Sequence, residues 1–563
     1  MGHRERSSSI ARAEDVTRPD RTVDVIVVGS GAAGHAAALS ATAEGAEVLL
    51  VEKLDRPGGT TGKSGGWYWV PNNLEMQALG IEDPREDALR YMARLTRPEA
   101  YDPDDAHLGL RPWEHGLIAA FYDHAATAVA ALVESGALES VHAREFPDYF
   151  AQLPENKAPS GRVYIPATPD GEMGTGADMI VQLSAAAERA GVTTLLGHAV
   201  QQLLVDDDGR AAGVVVGHAG GTAAFAARRA VIFASGGFAQ DRDLRRELLA
   251  GPIFGTCAAP GSTGDFLRIA TELGLPARAT GYPWMSPAVL ERALRNRADL
   301  EMTFQATGDS MIEVNRMGVR ATNEKLQYNE QTLVHWEWDA QRAEYRNLLL
   351  FMIWDQPCQD AYASDLPGNP IAPEGGDDEH VLRAETLTEL AAALGERLGA
   401  LASQTGGFAL DEGFAARLPH TIARFNEQAR SGVDSDFHRG ETPIETFFNA
   451  FHGEVRNPDS PTMHAFAGEG PYYATIIAPG MLDSKGGPVI DPSGRVLDAG
   501  GDPVPGLYGA GNCVASPSGK AYWAGGATIG PALTFGWLAG KAAAQEAPRS
   551  APPTIPAATG IGL

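Results

Sequence analysis

The chain has 563 residues, of which 45 are Lys or Arg and 72 are Asp or Glu, for a formal charge of −27. So acidic a chain repels phosphate backbones, which argues against general nucleic-acid binding. Hydrophobic residues make up 44%, as in a globular protein of roughly two to four domains, and 65 glycines without a Gly-X-Y period point to loops that hug a ligand. Cys257, Cys358 and Cys513 lie far apart with no CxxC or Cys/His cluster, so neither a disulfide framework nor a metal site is expected. Residues 1–21 are polar, lack the apolar stretch of a secretory signal and read as a disordered tail. No run approaches the ~18 uninterrupted apolar residues of a membrane span. The expectation is a cytoplasmic protein without a membrane span.

Val23–Lys53 reads as strand, Gly-rich turn, helix, strand. Val25–Val28 is a β-branched run suited to a strand buried on both faces. Ala32–Ala43 is a small-residue helix, and Val48–Val51 is the second parallel strand. Farther on, Met179–Arg189 reads as helix. Ala199–Asp206 and Gly213–Gly217 read as a hairpin, and Arg229–Phe233 as a short strand ending in Ala234-Ser235-Gly236-Gly237. From about Tyr282 to Phe451 the texture becomes mixed strand and amphipathic helix, with Thr386–Leu398 and Leu418–Ala429 the clearest helices. Gly and Pro punctuation then returns, and a final helix starts at Pro531 before a Pro/Ala-rich end.

Gly29, Gly31 and Gly34 form GxGxxG between a strand and a helix, the context a dinucleotide fingerprint requires. Gly29 permits the tight turn, Gly31 lets backbone approach a pyrophosphate, and Gly34 lets helix and strand pack closely. The helix N-terminus, from Ser30 through Ala32 and Ala33, presents free N–H groups to the phosphates. Glu52, 23 residues after Gly29, would accept hydrogen bonds from ribose hydroxyls. A second Gly/Ser/Thr loop, Gly58–Gly66, can wrap phosphate and a flat ring. It favours FAD over NAD, since a Rossmann dehydrogenase has no need of it. No second GxGxxG occurs, which argues against a separate NADPH domain. The fold class expected is α/β: a Rossmann-like FAD-binding domain, residues 22–281 and 456–546, interrupted by an inserted α+β catalytic or cap domain, residues 282–455. A C-terminal tail, 547–563, follows.

VDVIVVGSGAAG, VEK, GGTTGKSGG, ASGGF, VNRMGVRATNE, SKGG, GLYGAGN and TIGPALTFGW together resemble the fumarate reductase/3-ketosteroid dehydrogenase superfamily of flavoproteins over nearly the whole chain. Fumarate enzymes clamp two carboxylates with Arg in the segment that here runs from Ser516 to Gly530 and holds none. That segment is similar to the YxxGG-T-IGPA pattern of 3-ketosteroid Δ1-dehydrogenases. The resemblance implies that Tyr522 O–H and Gly526 N–H hold a ketone oxygen, that Tyr328 is the base and that Tyr149 supports it. It implies non-covalent FAD, held by Gly29, Ser30, Gly31, Ala32, Ala33, Gly34, Glu52 and Lys53, and by Gly59, Thr60, Thr61, Lys63, Ser64, Gly65 and Gly66. Ala199 and Val200 would bracket the adenine, Ser235 and Gly236 would pass beneath the ribityl region, and Gly511, Asn512, Gly530, Ala532 and Leu533 would approach the flavin. WVPNN at Trp69–Asn73 and FHRGE at Phe437–Glu441 also resemble that branch.

The chemistry this implies is removal of an α-proton by Tyr328 and of a β-hydride by flavin N5, with the carbonyl held so that enolate charge is stabilised. A hydrogen bond from Tyr149 would favour the Tyr328 phenolate. Ala321 stands where Phe is usual, and the indole of Trp523 beside Tyr522 would shrink the pocket, with Trp113 a further candidate wall. The substrate expected is therefore a cyclohexanone-sized cyclic ketone. The alternatives are a 3-ketosteroid (Δ1 or Δ4) dehydrogenase, then an enone reductase running in reverse. Tyr472 and Tyr473 are expected to pack near the flavin and cap junction, and Lys485 and Cys513 to be structural. The electron acceptor and the oligomeric state are open.

Overall fold

The computed structural model describes residues 8–16, 19–299, 301–302, 306–451, 456–457 and 460–549. A nine-stranded sheet carries the dinucleotide side. Its centre is Arg21–Val28, flanked in parallel by Val48–Val51 and by the long strand Gly221–Phe233. Val25–Val28 is buried on both faces, which is why the run is uniformly β-branched rather than alternating. The helix between the parallel strands spans Ala32–Ala43, as its alanine run anticipates. Gly221–Phe233 does two jobs. Its first half closes an antiparallel hairpin with Ala211–His218, and its last three residues pair in parallel with Leu507–Gly509. The chain thus returns to the first sheet after leaving it for the cap, and ends in the helix Ile529–Gln545.

Both expected tails are corrected in part. Ile10–Arg12 is an edge strand running parallel to Leu203–Val205, because its backbone finds a free sheet edge despite the polar sequence around it. Ala547–Arg549 is tied back to the sheet by Arg549 N–H to the Arg228 carbonyl at 2.8 Å and by its guanidinium to Asp206 at 3.3 Å. Residues 1–7, 17–18 and 550–563 of those tails lie outside the described residues.

The cap is built on a six-stranded sheet whose axis is Tyr472–Asp483, paired with Trp284–Val289, Leu350–Asp355, Leu382–Ala384 and Gly255–Thr256, with Met311–Val314 beyond. Its limits differ from the expected 282–455: Gly255–Thr256 and Tyr472–Asp483 belong to it. Tyr472 and Tyr473 accordingly sit in this sheet rather than at the flavin junction, with Tyr473 stacked on Trp354 at 5.8 Å. The helices Leu387–Thr405, capped by Thr386, and Phe414–Ser431 pack on the same core.

Pro112–Glu134 is the one helix among the described residues long and apolar enough to cross a membrane by length and composition. Here Leu117, Phe121 and Leu132 pack inside the dinucleotide domain. Beside it lies a fully buried ion cluster. Arg162 bonds both oxygens of Asp83, at 2.6 and 2.8 Å, and also Asp148, with its guanidinium over Trp69 and Tyr91. Asp148 also accepts from Trp69 Nε1 at 2.8 Å and from Asn156 at 3.0 Å, so every charged atom is matched. Removing one member leaves a buried charge unpaired. Arg162→Met is expected to lower stability by about 3–5 kcal/mol in urea unfolding; a loss below about 1 kcal/mol would show that the cluster is not a keystone.

Candidate flavin and ketone site

One cavity of ≈ 450 Å³ runs from Glu52 at the end of the second parallel strand to three tyrosines beneath the cap. At the first end Gly29 takes φ +103, and a Cβ there would stand 2.4 Å from the Ala234 carbonyl oxygen. A Cβ at Gly34 would stand 1.8 Å from Gly29 O, so that glycine serves helix–strand contact and does not face the cavity. Gly31 is different. Its φ is an ordinary −73, and an added Cβ would meet no protein atom closer than 3.5 Å. Nothing in the protein demands glycine there; an approaching ligand does, which is the cradle a pyrophosphate needs. Glu52 is held ready. Its Oε2 accepts from Ser30 N at 2.9 Å and Ser30 Oγ at 2.7 Å, and its Oε1 from Leu54 N at 2.8 Å.

The Gly/Ser/Thr loop lines the middle of the cavity from Gly59 to Gly66. It is fastened to the cap by Thr60 Oγ1, which donates to Asp483 Oδ2 at 2.8 Å. Lys53 and Lys63 also line the cavity, but each is committed to a carboxylate, Asp265 at 2.7 Å and Asp299 respectively. Val200, Ser235, Gly236, Gly511, Asn512 and Ala532 line it as well. Ala199, Gly530 and Leu533 do not. His198 lines it in place of Ala199, Leu533 is buried in the core, and a Cβ on Gly530 would lie 2.0 Å from Trp69 O, so Gly530 is a packing glycine. These contacts fit FAD: a dinucleotide cradle, a fixed ribose-side carboxylate and a long trough behind it.

At the far end Tyr149, Tyr328 and Tyr522 meet from three separate parts of the chain. Tyr149 O–H donates to the Tyr328 oxygen at 2.6 Å, and the Tyr328 and Tyr522 rings stand edge to face at 5.4 Å. Tyr328 opens the short helix Tyr328–Leu333. Asn329, next to it, accepts from Met285 N at 3.1 Å and pins that helix to the cap sheet. The RATNE motif braces the same region from behind: Glu324 is gripped by Arg320 at 2.8 Å and by Arg439 at 3.1 Å, and the latter comes from FHRGE. Two motifs more than a hundred residues apart are thus one buried ion cluster.

Burial pushes Tyr328 well above the ordinary phenol pKa, and its tyrosine neighbours add to the rise. The expectation that a hydrogen bond from Tyr149 would favour the Tyr328 phenolate is corrected: the bond is present, but burial dominates and Tyr149 itself adds to the rise. Tyr522 is raised too, by burial, with bonds to Tyr328 and Thr528 pulling it back. Gly526 takes φ +86, with Tyr68 Cα 2.5 Å from where a Cβ would be, and its N–H donates to no protein acceptor among the described residues. It lines the cavity with Tyr522. A phenol and a free amide facing one space make a site for a carbonyl oxygen.

The two tryptophans expected to wall the pocket do not line it. Trp523 is fully buried and turned the other way, between Trp69 at 5.7 Å and Phe121 at 6.0 Å. Trp113 packs against the same core. The walls are Trp67, Phe146, Phe448 and Trp284 instead. Phe146 stands edge-on to Trp67 at 4.6 Å and to Phe448 of the cap helix Pro443–Phe451 at 5.8 Å. Cys257 and Asp483 also face the cavity and carry no motif that marks them. Burial raises Cys257 to about 12 and Cys513 to about 11, so both are inert thiols.

The FAD binding domain family matches residues 24–529. The chain belongs to that family. It is an FAD-dependent oxidoreductase, and among its relatives are dehydrogenases of cyclic ketones. A 4-oxocyclohexanecarboxylate 2-dehydrogenase of Sinomonas cyclohexanicum is 29% identical, over 94% of this chain and 94% of that one. A 3-oxosteroid 1-dehydrogenase of Mycobacterium tuberculosis is 30% identical, over 93% and 98%. Among solved structures, a 3-ketosteroid Δ1-dehydrogenase from Sterolibacterium denitrificans in complex with 1,4-androstadiene-3,17-dione superposes with a TM-score of 0.78 at 26% identity, covering 93% of this chain and all of that one.

The two fingerprint glycines separate cofactor from fold. Gly31→Ala is expected to yield folded protein with its flavin absorbance per chain largely lost, while Gly34→Ala is expected to unfold. Full flavin content in Gly31→Ala would place the pyrophosphate elsewhere.

Proposed function

We propose that this FAD-dependent oxidoreductase desaturates a cyclic ketone to the α,β-enone, with a cyclohexanone-type substrate. The observation that carries the reading is the meeting of Tyr328, Tyr149, Tyr522 and the free Gly526 N–H at one end of the FAD cavity. A ketone oxygen between Tyr522 O–H and Gly526 N–H receives two hydrogen bonds that strengthen as enolate charge grows. Tyr328 takes the α-proton on its oxygen, to which the Tyr149 O–H donates. Bound FAD supplies the acceptor for the β-hydride. The aromatic walls exclude water, which raises the worth of both bonds to the enolate.

The size reading rests on Phe146, Phe448 and Trp67, whose edges enclose the space above the tyrosines, and no longer on Trp523. No arginine lines the cavity among the described residues, so the two-carboxylate grip of a fumarate enzyme has no counterpart. A 3-ketosteroid is the second reading, supported by the relatives and the fold match above. The free thiols suit a reducing compartment such as the cytoplasm.

Three measurements test this. Anaerobic mixing with cyclohexanone and with a saturated 3-ketosteroid should bleach the flavin with the small ketone; bleaching by the steroid alone moves the protein to the second reading, and Phe448→Ala should then leave the preference unaltered rather than admit bulkier ketones. Tyr328→Phe should retain the flavin spectrum and lose about 10²–10⁴ of the bleaching rate, and retained activity would remove it as the base. Because burial holds Tyr328 protonated far above neutrality, the base form grows with pH. The bleaching rate should climb through the neutral and alkaline range by up to about tenfold per unit; a flat profile would point to a different base.

A further inference from the structure

Lys485 is buried to zero exposure, and nothing in the proton and hydride steps uses it. It sits in SKGG, where the cap strand Tyr472–Asp483 hands the chain back to the FAD domain. Its Nζ donates to Ser518 Oγ at 3.1 Å and to the Ala521 carbonyl at 3.3 Å, and lies 3.4 Å from the centroid of the Trp284 ring. The amine thus donates to two oxygens and lies over one indole face. Burial draws its pKa well below the usual lysine value, opposed by Glu330.

What those three contacts hold is the ketone clamp. Ala521 is the residue before Tyr522. Trp284 presses its ring against the Tyr522 ring at 4.9 Å, edge to face, and its Nε1 donates to Asn512 Oδ1 at 3.0 Å. Asn512 and Trp284 both line the flavin cavity. The amine therefore ties one side of Tyr522 through its backbone and the other through the indole it stacks on. We propose that Lys485 is a positioning residue for the ketone clamp, fixing Tyr522 from behind by its bond to the Ala521 carbonyl and its contact with Trp284. The inference rests on the ketone-dehydrogenase reading. A phenol free to swing by 1 Å would still bind a ketone but would lose most of its bond to the enolate.

The test separates the proton step from the rest. Dithionite-reduced holoenzyme is incubated with cyclohexanone in D₂O, and deuterium at the α carbon is followed by mass spectrometry, alongside flavin content, melting temperature and anaerobic bleaching. Wild-type protein should exchange the α-hydrogen; if it does not, the ketone reading itself fails. Lys485→Met, close in length and unable to donate, should keep its flavin per chain yet lose about 10- to 100-fold in both exchange and bleaching, with KM changed less than kcat. Ser518→Ala, which removes one of the three anchors, should lose about 2- to 5-fold with unchanged flavin and melting temperature, and it decides the matter if Lys485→Met does not fold. Exchange at the wild-type rate in either folded variant, or a loss that tracks flavin content alone, would overturn the inference.

Discussion

The first and last helices touch backbone to backbone, and both ends of the cavity hang from that contact. A Cβ at Gly536 would lie 2.3 Å from Ala33 O, and one at Gly540 would lie 2.1 Å from Ala37 O. Ser40 Oγ adds a bond to the Trp537 carbonyl at 2.8 Å. Spaced four apart, the two glycines make a flat stripe that lets Ile529–Gln545 lie directly on Ala32–Ala43. The N-terminus of the early helix is the phosphate cradle at Gly31. The N-terminus of the late one follows the loop that carries Tyr522 and Gly526. Gly530, against Trp69 O, seats that late end in turn. The distance between the two ends of the cavity is thus set by a contact too tight to slide.

The cap meets this frame through side chains, Thr60 on Asp483 at 2.8 Å and Trp284 on Asn512 at 3.0 Å, and is braced within itself by charge. Glu324 between Arg320 and Arg439, with Asp434 on the far side of Arg320 at 2.8 Å, is a buried network four residues from Tyr328. Such a cluster contributes little net stability over an apolar packing. It does fix one arrangement, because any other leaves a charge unpaired. The same logic holds on the FAD side, where Asp148 is locked by Arg162 and Trp69 just before Tyr149. Two of the three tyrosines therefore sit beside saturated ion clusters, and the third is held by Trp284 and the Ala521 carbonyl.

Local structure was legible in the sequence wherever a short run decides it. Val25–Val28, Ala32–Ala43 and Val48–Val51 follow from β-branched and alanine runs between glycines, and the helix and second strand have the expected bounds. The edge strand Ile10–Arg12 was hidden because three residues among polar neighbours carry no period. Tyr149 and Tyr328 stand 179 residues apart, so only resemblance, not spacing, could bring them together. Of the aromatic walls, Trp67 and Trp284 fall where cap and flavin loops were expected to meet, whereas Phe146 and Phe448 were missed as walls because they meet across domains. Trp523 was misplaced by adjacency. In an extended stretch neighbouring side chains point to opposite sides, and Tyr522 facing the cavity sends Trp523 into the core.

The site sets two demands against each other. A dry, aromatic pocket strengthens the hydrogen bonds that Tyr522 and Gly526 make to an enolate, since a buried donor facing developing charge is worth far more than one in water. The same dryness pushes Tyr328 well above its ordinary pKa and makes the base scarce. The hydrogen bond from Tyr149, at 2.6 Å, does not relieve this conflict, because burial and the two tyrosine neighbours together hold Tyr328 protonated. On the proposed mechanism the enolate oxygen meets two preset donors, Tyr522 O–H and Gly526 N–H, while the α-proton meets the Tyr328 oxygen. The cost of forming a phenolate and the stabilisation of an enolate enter the same barrier, so dryness helps only as far as the second outweighs the first.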